Sequence, residues 1–376
     1  MKTRILTEEE PFADLICFHL RKEFPGITTL STCELVEALS NEIIGTKEVR
    51  YGSLPIPESL VIIREAIRDA IKADLPIPIL VPWGSIKANF SKSLDIAEVS
   101  AIQRLVQLQN NIKSYYKPGA EIVIRVEDTS AYTLFSLEND GETNKNIDSY
   151  SGDMQTLVNI LSPADGSTGS IRVLLESSMP QALNFNSTAF YKNQTRIYNY
   201  LRATRDMEDP QEMMATKQYD VLRDNGWKGY ISKVQREHYL SNYRRIYDWD
   251  EDTNLHRLSL YFAGAWRRFQ LNMTGKQEYW DKFIQLNYTA PIKGLPEGYG
   301  YNTIYYRTLP LSEARTHMSP WRSKGYLKIN GNTLTHKLTT WTDTELISRL
   351  TKVDMVLSNE DNSLSVIIEA DYLLEA

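Results

Sequence analysis

The chain has 376 residues, 42% hydrophobic and 24% charged, enough for one large core or two modest ones. Its formal charge of −6, from 42 basic and 48 acidic residues, argues against a dedicated nucleic-acid binder with a net basic surface. The two cysteines, Cys17 and Cys33, form no CxxC pattern and build neither a disulfide scaffold nor a zinc site.

Residues 1–12 carry Glu8, Glu9 and Glu10 and no apolar h-region. No stretch approaches the roughly 18 uninterrupted apolar residues of a membrane span. The expectation is a cytoplasmic protein without a membrane partner. Amphipathic patterning predicts helices over 8–24 and 33–44, the second introduced by the capping candidates Ser31 and Thr32. A third helix runs over 58–73, with Pro57 at its first turn. The run 75–82, apolar and bounded by prolines, predicts a buried strand at its centre. Residues 83–89 fit neither the helical nor the strand period and read as a loop.

Over 95–116, Ile96, Val99, Ile102, Leu105, Val106 and Leu108 make a helical stripe, and Pro118-Gly119 stops it. The alternation in 120–126 predicts a strand that ends at Glu127 and Asp128. Strand, loop, helix and strand in this order form a βαβ unit, which implies a parallel sheet and a right-handed crossover. Ligands of such sheets bind at the carboxyl ends of the strands, where both the 82–92 loop and Glu127/Asp128 fall. A helix over 144–161, a Gly-rich turn at 166–169 and a strand at 170–175 follow. Residues 186–285 read as almost wholly helical, and strands return at 303–307, 325–329, 353–357 and 363–369.

The expected fold is α/β, a Rossmann-like, mainly parallel sheet with flanking helices and a helical insertion or cap. Its parts are an α/β core with N-terminal helices at 1–185 and a helical insertion or cap at 186–290. Strands at 291–376 complete the core.

No GxxxxGK[ST] phosphate loop, post-strand GxGxxG, HExxH, GxSxG or kinase signature is present. The five histidines are never paired at i, i+4, so no local metal site is expected.

One long segment resembles a known family. Pro78-Ile-Leu-Val-Pro-Trp-Gly-Ser-Ile-Lys-Ala-Asn89, then Lys92 and Asp95-Ile-Ala-Glu98, is similar to the isocyanide (isonitrile) synthases of the pyoverdine/dityrosine biosynthesis group. Those proteins carry a strand ending in Pro-aromatic-Pro-x-Lys-Ser-x-Asn, then a Lys and an Asp-x-Ala-Glu helix start. A Tyr-x-Pro-Gly-Ala run feeding a strand and an acidic residue follows there, as Tyr116-Lys-Pro-Gly-Ala120, Ile122-Val-Ile124 and Asp128 do here. The likeness covers roughly 75–160. Gly84 replaces the second proline of the loop, the lysine is offset by about one place, and Arg315-Thr-His317 resembles a later Arg…His-Pro segment.

The resemblance implies an enzyme that joins the α-amine of an aromatic L-amino acid to the ketone carbon of ribulose 5-phosphate. Fragmentation of the sugar leaves that carbon as an isocyanide. No metal or redox cofactor is implied; a downstream oxygenase acting on the product is an implied partner. The chemistry needs imine formation, proton transfers and a phosphate cradle.

The catalytic candidates are Lys87, Asp128, His317 and His238; the substrate-binding candidates are Asn89, Lys92, Glu127, Arg236, Arg315 and Arg322. Lys87 could hold phosphate as a cation or, desolvated and neutral, act as a base or imine former. The alternative is a solvated loop lysine. Asn89 and Lys92 add a donor and a charge beside it, or are a loop-stabilising Asn and a surface Lys. Glu127 and Asp128 could take a proton or grip the substrate ammonium, or open the next turn. Asp95 and Glu98 read first as helix-capping residues. Arg315, His317 and Arg322 suit a phosphate or carboxylate, or an ordinary surface turn. Arg236 and His238 belong to a packed helix or to a lid over the pocket. Two other readings stand beside the enzyme. One is an RNA or single-strand binder using the Arg/Tyr-rich helices at 225–270; the other is a diverged family member acting on another amine.

Overall fold

The computed structural model describes residues 30–52, 54–89, 94–128, 141–162, 169–183, 283–288, 302–308, 319–340, 344–351 and 371–374. Helix α1 (Thr32–Ile44) starts on a capping box: the Ser31 hydroxyl accepts from the Glu34 amide, and the Glu34 carboxylate accepts from the Ser31 amide. Helix α2 (Pro57–Ala73) has its proline at the first turn and ends on Asp74, whose φ of 52° is left-handed. Strand β1 (Ile77–Gly84), helix α3 (Ile96–Tyr115) and strand β2 (Ala120–Glu127) form the expected βαβ unit. Helix α4 (Gly141–Leu161) and strand β3 (Ile171–Leu175) follow, then the four-residue helix α5 (Met179–Ala182).

Strands β4 (Ile284–Asn287) and β5 (Thr303–Tyr305) complete a five-stranded, wholly parallel sheet of order β3-β2-β1-β4-β5. The fold is therefore an α/β arrangement of Rossmann-like type. The range read as helical to 285 ends differently: residues 284–287 are an inner strand, while 184–282 lie outside the described residues. The helices expected at 8–24 and the strands at 353–357 and 363–369 lie outside them too.

Of the expected C-terminal strands, the one at 303–307 joins the parallel sheet as β5. That at 325–329 is strand β6 (Ser323–Asn330) of a second sheet. There it pairs antiparallel with β7 (Thr333–Thr340) and parallel with β8 (Tyr372–Leu374), and a short helix α6 (Thr344–Arg349) intervenes.

Strand β1 lies in the middle of the parallel sheet despite Pro78 and Pro82. Proline lacks an N–H and is normally confined to edges. Successive N–H groups of a strand point to opposite sides, and Ile77 N–H donates toward β2, to Gly119 O at 3.0 Å. Pro78, Leu80 and Pro82 therefore face β4, which pairs β1 only at Ile79 and Leu80. The two prolines flank the short ladder and leave no bond missing within it.

Four helices cover one face of the sheet. Ile77, Ile79, Val81 and Trp83 of β1 and Ile122, Ile124 and Val126 of β2 meet Leu39, Ile43, Ile63, Ile67, Ile102, Leu105, Met154 and Leu157 there. Gln109 of α3 reaches the start of β2, accepting from Ala120 N at 2.9 Å and donating to Ala120 O at 2.8 Å. On the outermost strand, Gln155 of α4 accepts from Val173 N at 2.8 Å, which pairs a donor at the sheet edge. Gly169 lies at the amino end of β3, against the backbone of Pro118 and Ala120, so this part of the Gly-rich turn sits at the rim opposite the strand carboxyl ends.

The second sheet docks on the start of α3 through Gly325. A Cβ there would lie 2.5 Å from Ala97 N and 2.9 Å from Ile96 C, both backbone atoms. Gly152 of α4 has nothing within 4 Å of its Cβ position. Gly325→Ala should lower stability by about 1–3 kcal/mol through overpacking. Gly152→Ala should raise it by about 0.5–1 kcal/mol by removing a helical glycine. Thermal denaturation of the two variants checks both signs.

Candidate functional site

The order of the parallel sheet reverses between β1 and β4, and the crevice beyond strand carboxyl ends at such a reversal is the usual ligand position in open α/β sheets. Gly84 and Glu127 are register partners, so the 83–89 segment and the acidic pair leave the sheet at the same rim. The Ser85 hydroxyl donates to Glu127 O at 2.5 Å and ties the two exits together. A 3₁₀ turn at Ile86–Asn89 then carries Lys87 inward.

Lys87 is fully buried. Three oxygens lie close to its ammonium, two of them hydrogen-bonded to it, from Glu98 and Pro320, and the Asp95 oxygen in an ion pair. They are Asp95 Oδ2 at 2.6 Å, Glu98 Oε2 at 2.7 Å and Pro320 O at 3.4 Å. Asp95 is the N-cap of α3 and Glu98 stands in its first turn, where the helix dipole favours negative charge. They also form its capping box, with Ala97 N donating to Asp95 Oδ1 at 2.8 Å and Asp95 N to Glu98 Oε2 at 3.0 Å. Capping was the expected role of this pair, and the pairing with Lys87 comes in addition to it.

Further bonds extend the centre on both sides. Tyr150 of α4 donates to Glu98 Oε1 at 2.8 Å and accepts from Trp83 Nε1 at 3.1 Å. Gly325 N donates to Asp95 Oδ1 at 3.1 Å, and Lys324 Nζ lies 3.9 Å from Asp95 Oδ2 while pairing with Asp371.

The environment explains the shifts of the buried groups. Burial pushes the Glu98 carboxyl up to about 7, against the opposing pull of the Lys87 charge and with the Asp95 charge adding to the rise. Burial disfavours the Lys87 ammonium, yet the two carboxylates together outweigh it and raise its proton affinity. Burial, then the Glu98 charge, hold the Tyr150 phenol well above its ordinary value.

Aromatic rings close the centre. Trp83 packs against Trp321 at 5.3 Å between centroids and edge-on to Tyr288 at 5.9 Å. Gly84 leaves room for this: a Cβ there would stand 2.5 Å from the Trp321 indole. Gly84 thus admits a side chain from the C-terminal region.

The remaining candidates fall as follows. Glu127 Oε1 accepts from Arg125 at 3.0 Å. Asp128 is buried; it accepts from Ser177 N at 3.0 Å and from the Ser177 hydroxyl, so it braces the 3₁₀ turn Glu176–Ser178 after β3. Lys87 forms no ion pair with either. Asn89 and Arg322 have described backbones, in 3₁₀ turns, but their side chains lie outside the described set. Lys92, Arg236, His238, Arg315 and His317 lie outside the described residues altogether.

Sequence reasoning missed Tyr150, which sits on an apolar stripe of its helix, and the Trp83 indole N–H, which falls in the segment read as an irregular loop. It also missed Ser177, Pro320, Lys324 and Asp371, whose roles depend on contacts between segments remote in sequence. Among the described residues, no group of three or more His, Cys, Asp or Glu side chains is arranged to hold a metal ion. No described helix is long and apolar enough to cross a membrane.

No family model matches the chain, and no curated protein matches it. Among solved structures, the crystal structure of the PvcA protein from Pseudomonas aeruginosa is similar, at 15% identity and a TM-score of 0.48. The alignment covers 90% of this chain and 99% of that one.

Removing the ammonium while keeping the carboxylates leaves buried charge uncompensated. Lys87→Met should therefore cost about 3–5 kcal/mol in urea unfolding, and adding Glu98→Gln to it should recover part of that loss. Glu98 also sets a pH dependence. Its folded value of about 7 stands above its ordinary 4.5. Its contribution is complete below pH 4.5 and is lost as pH rises through 7, about 3 kcal/mol in all. Glu98→Gln should flatten the fall in unfolding free energy between pH 5 and 8.

Proposed function

We propose that the chain is an isocyanide-synthase-like enzyme joining the α-amine of an aromatic L-amino acid to the ketone carbon of ribulose 5-phosphate. One observation carries the reading. The segments that resemble the family converge on one rim of the sheet: Pro78–Asn89 ends there, Asp95 and Glu98 face Lys87, and Asp128 leaves the adjacent strand.

In this reading Lys87 acts as a fixed cation rather than a free amine, since it is ion-paired with Asp95 and Glu98 and hydrogen-bonded to Glu98 and Pro320. Glu98 exchanges a proton near neutral pH, where a general acid or base is most effective. Glu127 and Asp128, at the end of β2, grip the substrate ammonium. Asn89, Lys92, Arg236, Arg315 and Arg322 hold the phosphate and the substrates, and His238 and His317 move protons. The product is an isonitrile that a downstream oxygenase would consume. The buried, ion-paired ammonium also favours a second reading, in which the scaffold is kept and a different amine is the substrate.

Incubation with a broad amino-acid panel and ribulose 5-phosphate labelled with ¹³C at the ketone carbon tests the proposal. Mass spectrometry and NMR should find the label bound to the amino-acid nitrogen as an isonitrile. Label on tyrosine or tryptophan supports the first reading, and label only on another amine supports the second. No labelled product from any amine overturns both. Arg315→Ala should then reduce turnover by about 100-fold, as expected on removing a group that stabilises charge in the transition state.

A further inference from the structure

The centre around Glu98 holds more information than the ion pairs alone. Among the described residues, every hydrogen-bond partner of its carboxylate is a donor: Tyr150 OH on Oε1, and Lys87 Nζ and Asp95 N on Oε2. An ionised carboxylate only accepts, so this surround matches the charged form. A protonated carboxyl would need an acceptor for its own O–H. Of the three partners, only the Tyr150 oxygen could serve.

That oxygen is already committed. An indole N–H donates and never accepts, so Trp83 Nε1 must be giving its proton to Tyr150 O across the 3.1 Å contact. The phenol proton is thereby directed at Glu98 Oε1. Reversing the hydroxyl to receive a proton from Glu98 would strand the phenol proton without an acceptor in a site where Tyr150 and Glu98 are both buried. The charged groups that bear on Glu98 are Lys87 from the 3₁₀ turn and Asp95 at the N-cap of its own helix. Lys324 and Asp371 of the second sheet lie behind Asp95.

We infer that Tyr150 is a positioning residue that favours the carboxylate form of Glu98 over its protonated form, with Trp83 setting the direction of the Tyr150 proton. It rests on the proposed function only in taking this centre as the site; the effect itself belongs to the unliganded protein. Through Glu98, Tyr150 also maintains the charge that keeps Lys87 an ammonium. A tyrosine on the core stripe of α4 thus acts on a carboxyl of α3, across the intervening β2.

The test is ¹³C NMR of protein labelled at its glutamate side-chain carboxyl carbons, titrated without substrate. The Glu98 resonance is assigned by its loss in Glu98→Gln. In Tyr150→Phe, which keeps the ring and removes the hydroxyl, the Glu98 midpoint should rise by about one to two pH units, the size of one hydrogen bond to a charged group. In Trp83→Phe it should rise by less, because the Tyr150 proton is then free to turn. An unchanged or lowered midpoint in Tyr150→Phe overturns the inference. If that variant does not fold, an unchanged or lowered midpoint in Trp83→Phe overturns it. Because no turnover is measured, this outcome is independent of whether any amine is converted to an isonitrile.

Discussion

The placement of one ammonium inside the protein governs much of the rest. Lys87 lies where water does not reach, and such a charge is tolerated only when paired and hydrogen-bonded. Its partners come from the N-cap and first turn of α3 and from Pro320, and Glu98 in turn engages α4 through Tyr150. The lysine therefore joins the end of β1, two helices and the C-terminal region at one point. A buried pair of this kind contributes little net stability over an apolar substitute, but breaking it is costly. It thus serves mainly to specify which segments meet.

The same point ties the second sheet to the first. Asp95 accepts from Gly325 N and lies near Lys324, which pairs with Asp371 just before β8. Gly325 and Gly84 make this approach sterically possible, one against the backbone of α3 and the other against the Trp321 ring. Residues more than 200 positions apart are so brought into one electrostatic unit at the carboxyl rim of the parallel sheet. Glu98, shifted toward neutrality within that unit, is the described group best suited to exchange a proton under ordinary conditions.

Much of the central architecture was readable in the sequence because it rests on local periodicity. The stripe from Ile96 to Leu108 marked α3, the alternation at 120–126 marked β2, and Ser31 and Pro57 marked two helix starts. Strand β1 was read too short, since its passage through Pro82 depends on which side of the sheet the proline faces. Strand β4 was absorbed into a helical block, because four residues cannot establish a period and its partners lie far away in the chain. Lys87 was legible as a special lysine, but not its state. Asp95 and Glu98 had a sufficient local explanation as a capping box, and an irregular loop conceals which way its lysine turns. Tyr150 was invisible for the opposite reason, as its position on an apolar stripe with Ile147, Met154 and Leu157 already accounted for it.

Amine-reactive footprinting of the folded protein tests the central claim most directly. Brief treatment with acetic anhydride at neutral pH, read by peptide mass spectrometry, compares Lys87 with the exposed Lys72 and Lys145. An ammonium held between two carboxylates away from solvent predicts that Lys87 stays unmodified while the other two react, and that it reacts only after denaturation. Modification of Lys87 in the native protein at a rate like theirs would contradict the account.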